Sequence, residues 1–397
     1  MEHPIGPPIA AMSGADRRIL LVLCAASILA VLNFAAPAPF FTRIADDLDT
    51  TVPLLGQLTT MMTVLSAVLG LAVGPLADRF GARRLLAGGM VAVGVNLIGV
   101  GIAPSYPVLL GLAAIGGLGD AALFGLPLAI AGTHFVGAAK TRAVAWTAAS
   151  LPIGSSLGIP LLTLAGTVLG WRSAIAAVGA GAIGMIWWAI RWLPEGERRV
   201  GETGARSLFA PYGPLLRDGR MVRLYAIGAL RAACWIGLFT YLAAFLTAEF
   251  GFGADGIGLA FVLAGGGAFL GNLATPRWFA RVPQRPGVAV ATGLQGLLIG
   301  ALLILPLDAP VALGLLVLVA FSGGPAFVWI ATLLGQETPV GAGTTMVLNG
   351  SVFNIGTAAG TAVGGLLISL GGYPALGVGL AGFALLGVLC LVVPTRR

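Results

Sequence analysis

Gly74-Pro75-Leu76-Ala77-Asp78-Arg79-Phe80-Gly81-Ala82-Arg83-Arg84 is a short charged turn between two long apolar runs. Charged residues make up 9% of the chain, yet four of them fall within these eleven positions. Charge at the centre of a bilayer costs several kcal/mol, so a cluster of this kind must lie outside the hydrocarbon. The turn therefore sets two membrane-crossing helices on a common side of a membrane.

The rest of the composition agrees. The 397 residues are 58% hydrophobic, and the mean hydropathy is +0.98. A water-soluble chain of this length has no means of hiding so much apolar surface, so lipid must cover part of it. A crossing helix needs about 20 apolar residues, which leaves room for about twelve crossings with short turns. The 61 glycines suit helices that approach one another closely in lipid. The net charge of +7 does not point to nucleic acid, because the basic residues are dispersed at the ends of apolar runs. Cys24, Cys234 and Cys390 each lie inside such a run, which argues against a disulfide framework. The first run follows Arg17 and Arg18 as a signal peptide would, but it extends to Phe41 and carries Pro37 and Pro39 where a cleavage region would fall.

Apolar runs bounded by charge, Pro and Gly predict twelve crossing helices, at about 18–41, 52–76, 84–103, 107–134, 142–169, 173–193, 222–248, 254–279, 287–305, 309–335, 342–370 and 374–394. The fold class expected is an all-α membrane protein of two six-helix bundles, residues 1–200 and 222–397, joined by a polar linker at 201–221. With the N-terminus placed in the cytoplasm, nineteen of the 22 Lys and Arg fall on the cytoplasmic side. Arg43 and Arg172 fall outside, and Arg231 falls within a helix. This asymmetry supports both the helix count and the orientation, with both termini cytoplasmic. A shift of 202 residues lays Gly154 on Gly356, Gly158 on Gly360, Gly170 on Gly372 and Trp171 on Tyr373, so the second half reads as a repeat of the first. Repeats of this kind build transporters whose binding site lies between the halves.

The spacing G-x-L-A-D-R-x-G-x-R in the opening stretch resembles the loop between helices 2 and 3 of the major facilitator superfamily of secondary transporters. The run Asn354-Ile355-Gly356 through Gly360 and Gly364-Gly365 resembles the twelve-helix drug and sugar efflux (drug:proton antiporter) branch. The resemblance implies a conformational latch at Gly74, Asp78, Arg79, Gly81, Arg83 and Arg84, in which Asp78 meets the start of helix 11 near Gly343 and holds the outward-open state. A carboxylate is stabilised near unpaired helix N–H groups. The alternative is a charged turn and nothing more. The pattern departs at Ala82, where the family has a basic residue, and at Ala113 in helix 4, where many proton-coupled members carry an arginine.

Asp120, near the middle of helix 4, is the candidate for proton coupling and substrate binding. Low dielectric favours the protonated form of a carboxylate, which is what a proton carrier needs. The alternative is a structural carboxylate fixed by its neighbours. Arg231, in helix 7, keeps its charge and needs a partner. It pairs with Asp120, binds an anionic group of the substrate, or snorkels to the membrane edge. The resemblance places helices 1, 4, 7 and 10 around the cavity, which adds Asn33, Trp235, Tyr241 and Trp329 as substrate-binding candidates, with Asn349 and Asn354 from helix 11. Aromatics in such positions are also ordinary packing residues.

No metal-ligand spacing, phosphate-binding Gly loop or nucleophile–base pair is legible, so neither an enzyme nor a bound cofactor is expected. With no ATP-hydrolysing domain in the sequence, a proton gradient is the expected energy source. The function expected is proton-coupled efflux of small organic molecules by a monomer in the plasma membrane, with uptake of an anionic metabolite as the alternative. A receptor or enzyme without translocation is the reading from a different class.

Overall fold

The computed structural model describes residues 12–195, 212–279 and 281–392. The side chain of Asp78 and residues 201–211 of the expected linker lie outside this description.

Among the described residues twelve helices are long and apolar enough to cross a membrane, the last two running on from one another. They are α1 (Gly14–Asp47), α2 (Val52–Phe80), α3 (Ala82–Ile102), α4 (Tyr106–His134), α5 (Arg142–Leu169), α6 (Trp171–Trp192), α7 (Gly219–Phe250), α8 (Ala254–Trp278), α9 (Gln284–Ile304), α10 (Ala309–Glu337), α11 (342–370) and α12 (373–392). Local chemistry sets their ends. The Ser13 hydroxyl accepts the Asp16 N–H at 3.0 Å and caps α1. Prolines in the first turn open α2, α4 and α10, where a missing N–H costs nothing. Asp218 accepts the Arg220 N–H at 2.8 Å, so α7 begins at Gly219, three residues before the start expected from hydropathy alone. Pro37 and Pro39 break α1 with a 3-10 turn at Ala38–Phe40, and α5 carries a π turn at Gly154–Gly158 after Pro152.

The helices form two bundles of six, each the other's repeat. Gly170 and Gly372, matched by the 202-residue shift, both take positive φ, 79° and 66°, at the α5–α6 and α11–α12 turns. A side chain at Gly356 or Gly360 would strike the α7 backbone at Ala229 and Ala233, while Gly154 and Gly158 face α1 at Ile28, Val31 and Leu32. Thus α5 lies on α1 as α11 lies on α7. Large apolar side chains stay exposed on the outside, among them Val168 at 83% and Leu370 at 74%, and lipid is their only adequate cover.

The bundles meet at one end and part at the other. Away from the arginine-rich turns, Tyr241 of α7 fills the space over Gly56 of α2, and its hydroxyl donates to the Thr361 carbonyl at 2.7 Å. Nearby, Thr60 and Thr361 hydroxyls bond at 2.8 Å across the bundles. Toward the arginine-rich end, the Tyr212 hydroxyl, just ahead of α7, donates to the Leu71 carbonyl of α2 at 3.2 Å. Beyond it Gly74 has nothing within 4 Å of where a side chain would stand. Arg79 is exposed and lies over its own neighbour Phe80, 5.3 Å from the ring centre.

Candidate functional site: a carboxyl group between two bundles

Gly116, Gly117 and Gly119 prepare the site on α4. A side chain at Gly117 would collide with the Met62 backbone of α2, and one at Gly116 would meet Asn96 of α3. The missing side chains let α2 and α3 close on α4 just before Asp120. Asn33, near the end of the first stretch of α1, is fully buried and reaches the same place. Its amide nitrogen donates to Asp120 Oδ1 at 2.9 Å and to the Gly116 carbonyl at 3.2 Å. Its amide oxygen accepts from Asn96 Nδ2 at 2.8 Å. Three helices thus fix one carboxyl group through two amides, and Asn96 Oδ1 is left without a partner.

Asp120 borders a narrow cavity of about 20 Å³ between the bundles. From the first bundle come Phe34, Thr63, Ser66, Asp120 and Phe124; from the second come Ile236, Phe353, Asn354 and Thr357. Asn354 of α11 donates to Ser66 Oγ of α2 at 3.1 Å, closing one wall across the bundle interface. Among the described residues no group bonds the second oxygen of Asp120.

Arg231 takes a different position. It is 6% exposed on α7, and its Cζ sits 5.5 Å from the ring centre of Phe327 on α10. Its Nε has no hydrogen-bond partner, and no carboxylate among the described residues, Asp120 included, pairs with it.

The other expected residues separate by place. Trp235 is half-buried against Phe239, ring centres 5.8 Å apart. Tyr241 is fully buried and belongs to the closed end. Trp329 is 7% exposed and packs on Phe279 and Gly287 in the core of the second bundle. Asn349 approaches Gly228 of α7. In the charged turn, Gly81 allows the reversal with φ of 89°. Arg83 pairs with Glu195 and donates to the Ile190 and Leu193 carbonyls at 3.3 and 3.4 Å, which caps α6 within its own bundle. Arg84 is exposed. Asn96, Thr63, Ser66 and Thr357 were not singled out from the sequence. Asn96 carried a usable signal, as a lone amide in the apolar run of α3.

Two repeated six-helix bundles around a polar cavity, sealed at one end and parted at the other, define a polytopic membrane protein of the alternating-access class. The sequence profile of the Major Facilitator Superfamily matches residues 23–347, and the chain belongs to that family. It is 30% identical over 326 residues to a chloramphenicol resistance protein of Streptomyces lividans, covering 81% of each chain. It is 26% identical over 389 residues to a Pseudomonas aeruginosa protein named as the transcription regulatory protein OpdE, covering 97% of this chain and 95% of that one. Its fold is similar to an inward-facing, unoccupied bacterial homologue of the human lysosomal transporter Spinster, with a TM-score of 0.74 at 17% identity over 96% of this chain and 95% of that one. The family and the fold are those of transporters, with a small-molecule substrate and a place in the lipid bilayer.

Proposed function

We propose that the protein exports small organic molecules in exchange for protons, as a monomer in the cytoplasmic membrane with both termini inside the cell. The observation that carries this reading is Asp120, a buried carboxyl group held on one oxygen by Asn33 at the edge of the cavity. A carboxyl so placed takes up a proton when the cavity faces the proton-rich side. It gives the proton up when substrate arrives or when the cavity turns to the other side. The protein needs no bound cofactor for this; the gradient supplies the free energy. Export, rather than uptake, is favoured by the similarity to a protein named for chloramphenicol resistance.

The charged turn fits the same cycle. Gly74 is uncovered and Arg79 is exposed over Phe80 in this state, as expected when the arginine-rich end is parted. When that end closes, Asp78 comes to the start of α11 and the latch forms. By the distribution of basic residues, the parted end faces the cytoplasm.

The test is flux in proteoliposomes against a panel of cationic, neutral and anionic compounds, with and without an imposed pH gradient. Gradient-driven movement of at least one compound is expected. If none moves under any gradient, while the purified protein binds some of them, the chain is a receptor rather than a transporter.

A further inference from the structure

Asp120, Thr63 and Ser66 of the first bundle and Asn354 and Thr357 of the second converge on one cavity. Thr63, Thr147, Thr163, Thr275 and Thr361 each donate to the carbonyl four residues back, which satisfies a hydroxyl inside an apolar helix. Thr357 is 2% exposed and makes no such bond, and its Oγ1 has no partner among the described residues. A buried hydroxyl left unpaired is destabilising, so something other than its own helix must serve it.

The size of the cavity decides what that can be. A single water needs about 10–15 Å³, and this cavity offers about 20 Å³. An organic substrate needs a pocket more than ten times larger. The polar groups match water in both of its roles. Thr63 gives its proton to the Thr59 carbonyl at 2.7 Å, which leaves its oxygen as an acceptor beside the second oxygen of Asp120. Ser66 Oγ accepts from Asn354 and keeps its own proton to donate, as does Thr357. Two acceptors and two donors are the complement of one water, whereas a metal cation would use acceptors alone.

We infer that this cavity binds one water molecule, which bridges the second oxygen of Asp120 to the hydroxyl of Thr357. Thr357 is thereby a positioning residue, supplied by the second bundle, for the carboxyl group of the first. The bridge runs beside the direct Asn354–Ser66 bond at 3.1 Å, so it crosses the interface on which the bundles tilt. An ionised Asp120 accepts from the water, and a protonated Asp120 donates to it, so the water must turn its remaining bonds. A proton on α4 is in this way felt on α11. That last step alone rests on Asp120 as the proton carrier. No other residue lining the cavity is titratable, whether it comes from α1, α2, α4, α7 or α11, and Arg231 and Cys234, buried on α7, are not among the lining residues.

The experiment records infrared difference spectra, acid minus neutral, of the full chain in lipid nanodiscs, in ordinary water and in water enriched in the heavy oxygen isotope. The carboxyl band of Asp120 is identified by its loss in Asp120→Asn. Beside it, an O–H stretching band that moves on isotope exchange is expected, and it should vanish with Asp120→Asn. Thr357→Val, which keeps the shape and removes the hydroxyl, should lose this band while the carboxyl band persists. Thr357→Ser, which restores the hydroxyl, should regain it. The absence of any isotope-sensitive band in the unaltered protein, its survival in Thr357→Val, or its appearance only when sodium or lithium is supplied would each overturn the inference. Gradient-driven flux in the same preparations separates this from the transport reading. Flux without the band removes the water and leaves transport standing. The band without flux of any compound leaves the water and removes transport.

Discussion

A single amide decides how the carboxyl group at the centre is presented. Asn33 donates to Asp120 and accepts from Asn96, so losing it strands two polar groups in a dry environment. Each stranded group costs about 1–3 kcal/mol. Asn33→Ala is therefore expected to lower the thermal unfolding midpoint in detergent by several degrees, and an unchanged midpoint would show that the network contributes nothing. Asp120→Asn keeps the shape and the bond to Asn33 but carries no proton. It should abolish flux driven by a pH gradient while leaving substrate exchange at least partly intact; full gradient-driven flux would remove Asp120 from the coupling. At this scale much of the site was legible. Asp120 and Asn33 stand out because a polar group in an apolar run must be there for a reason; Arg231 stands out likewise but is not among the residues lining the Asp120 cavity. Asn96 was passed over because its role exists only through Asn33. Tyr241 and Trp329 show the opposite limit. Residues alone do not give the rotation of a helix about its axis, so a packed aromatic and a cavity-lining one look alike.

The pairing of helices is enforced by glycines at their contacts. A side chain at Gly360 would meet the Ala233 carbonyl of α7, whereas one at Gly382 on α12 would meet nothing within 4 Å. Gly360→Val should thus separate α11 from α7 and sharply reduce the yield of monodisperse protein, with Gly382→Val as a tolerated control. Equal tolerance of both would mean that close α7–α11 packing is dispensable. Helix limits were readable from hydropathy, Pro and Gly to within a few residues. The exceptions have local causes: the Asp218 cap that starts α7 early, the proline-induced break in α1, and the π turn of α5. The 202-residue repeat was legible as matched glycines. Its meaning, equivalent turns with positive φ and equivalent helix contacts, needed the backbone.

The whole molecule is two rigid bundles joined firmly at one end. Tyr241, Gly56 and Thr361 hold that end shut, and toward the other the Tyr212 hydroxyl bonds the Leu71 carbonyl. Which end is shut is not written in the sequence, because both states share the same helices and differ only in contacts between them. The latch is a whole-molecule claim too: Asp78→Asn should shift the population away from the state closed at the arginine-rich end, as read by spin-label distances there. The central claim is that the bundles tilt about the Asp120 cavity, and paired distances test it most directly. One label pair, at the exposed positions Val136 and Trp278, reports the arginine-rich end, and another, at Ile102 and Leu305, reports the opposite end. When pH is lowered or a transported compound is added, one distance is predicted to shorten as the other lengthens. Distances that stay fixed, or that change together, while flux proceeds in the same preparation would contradict the account.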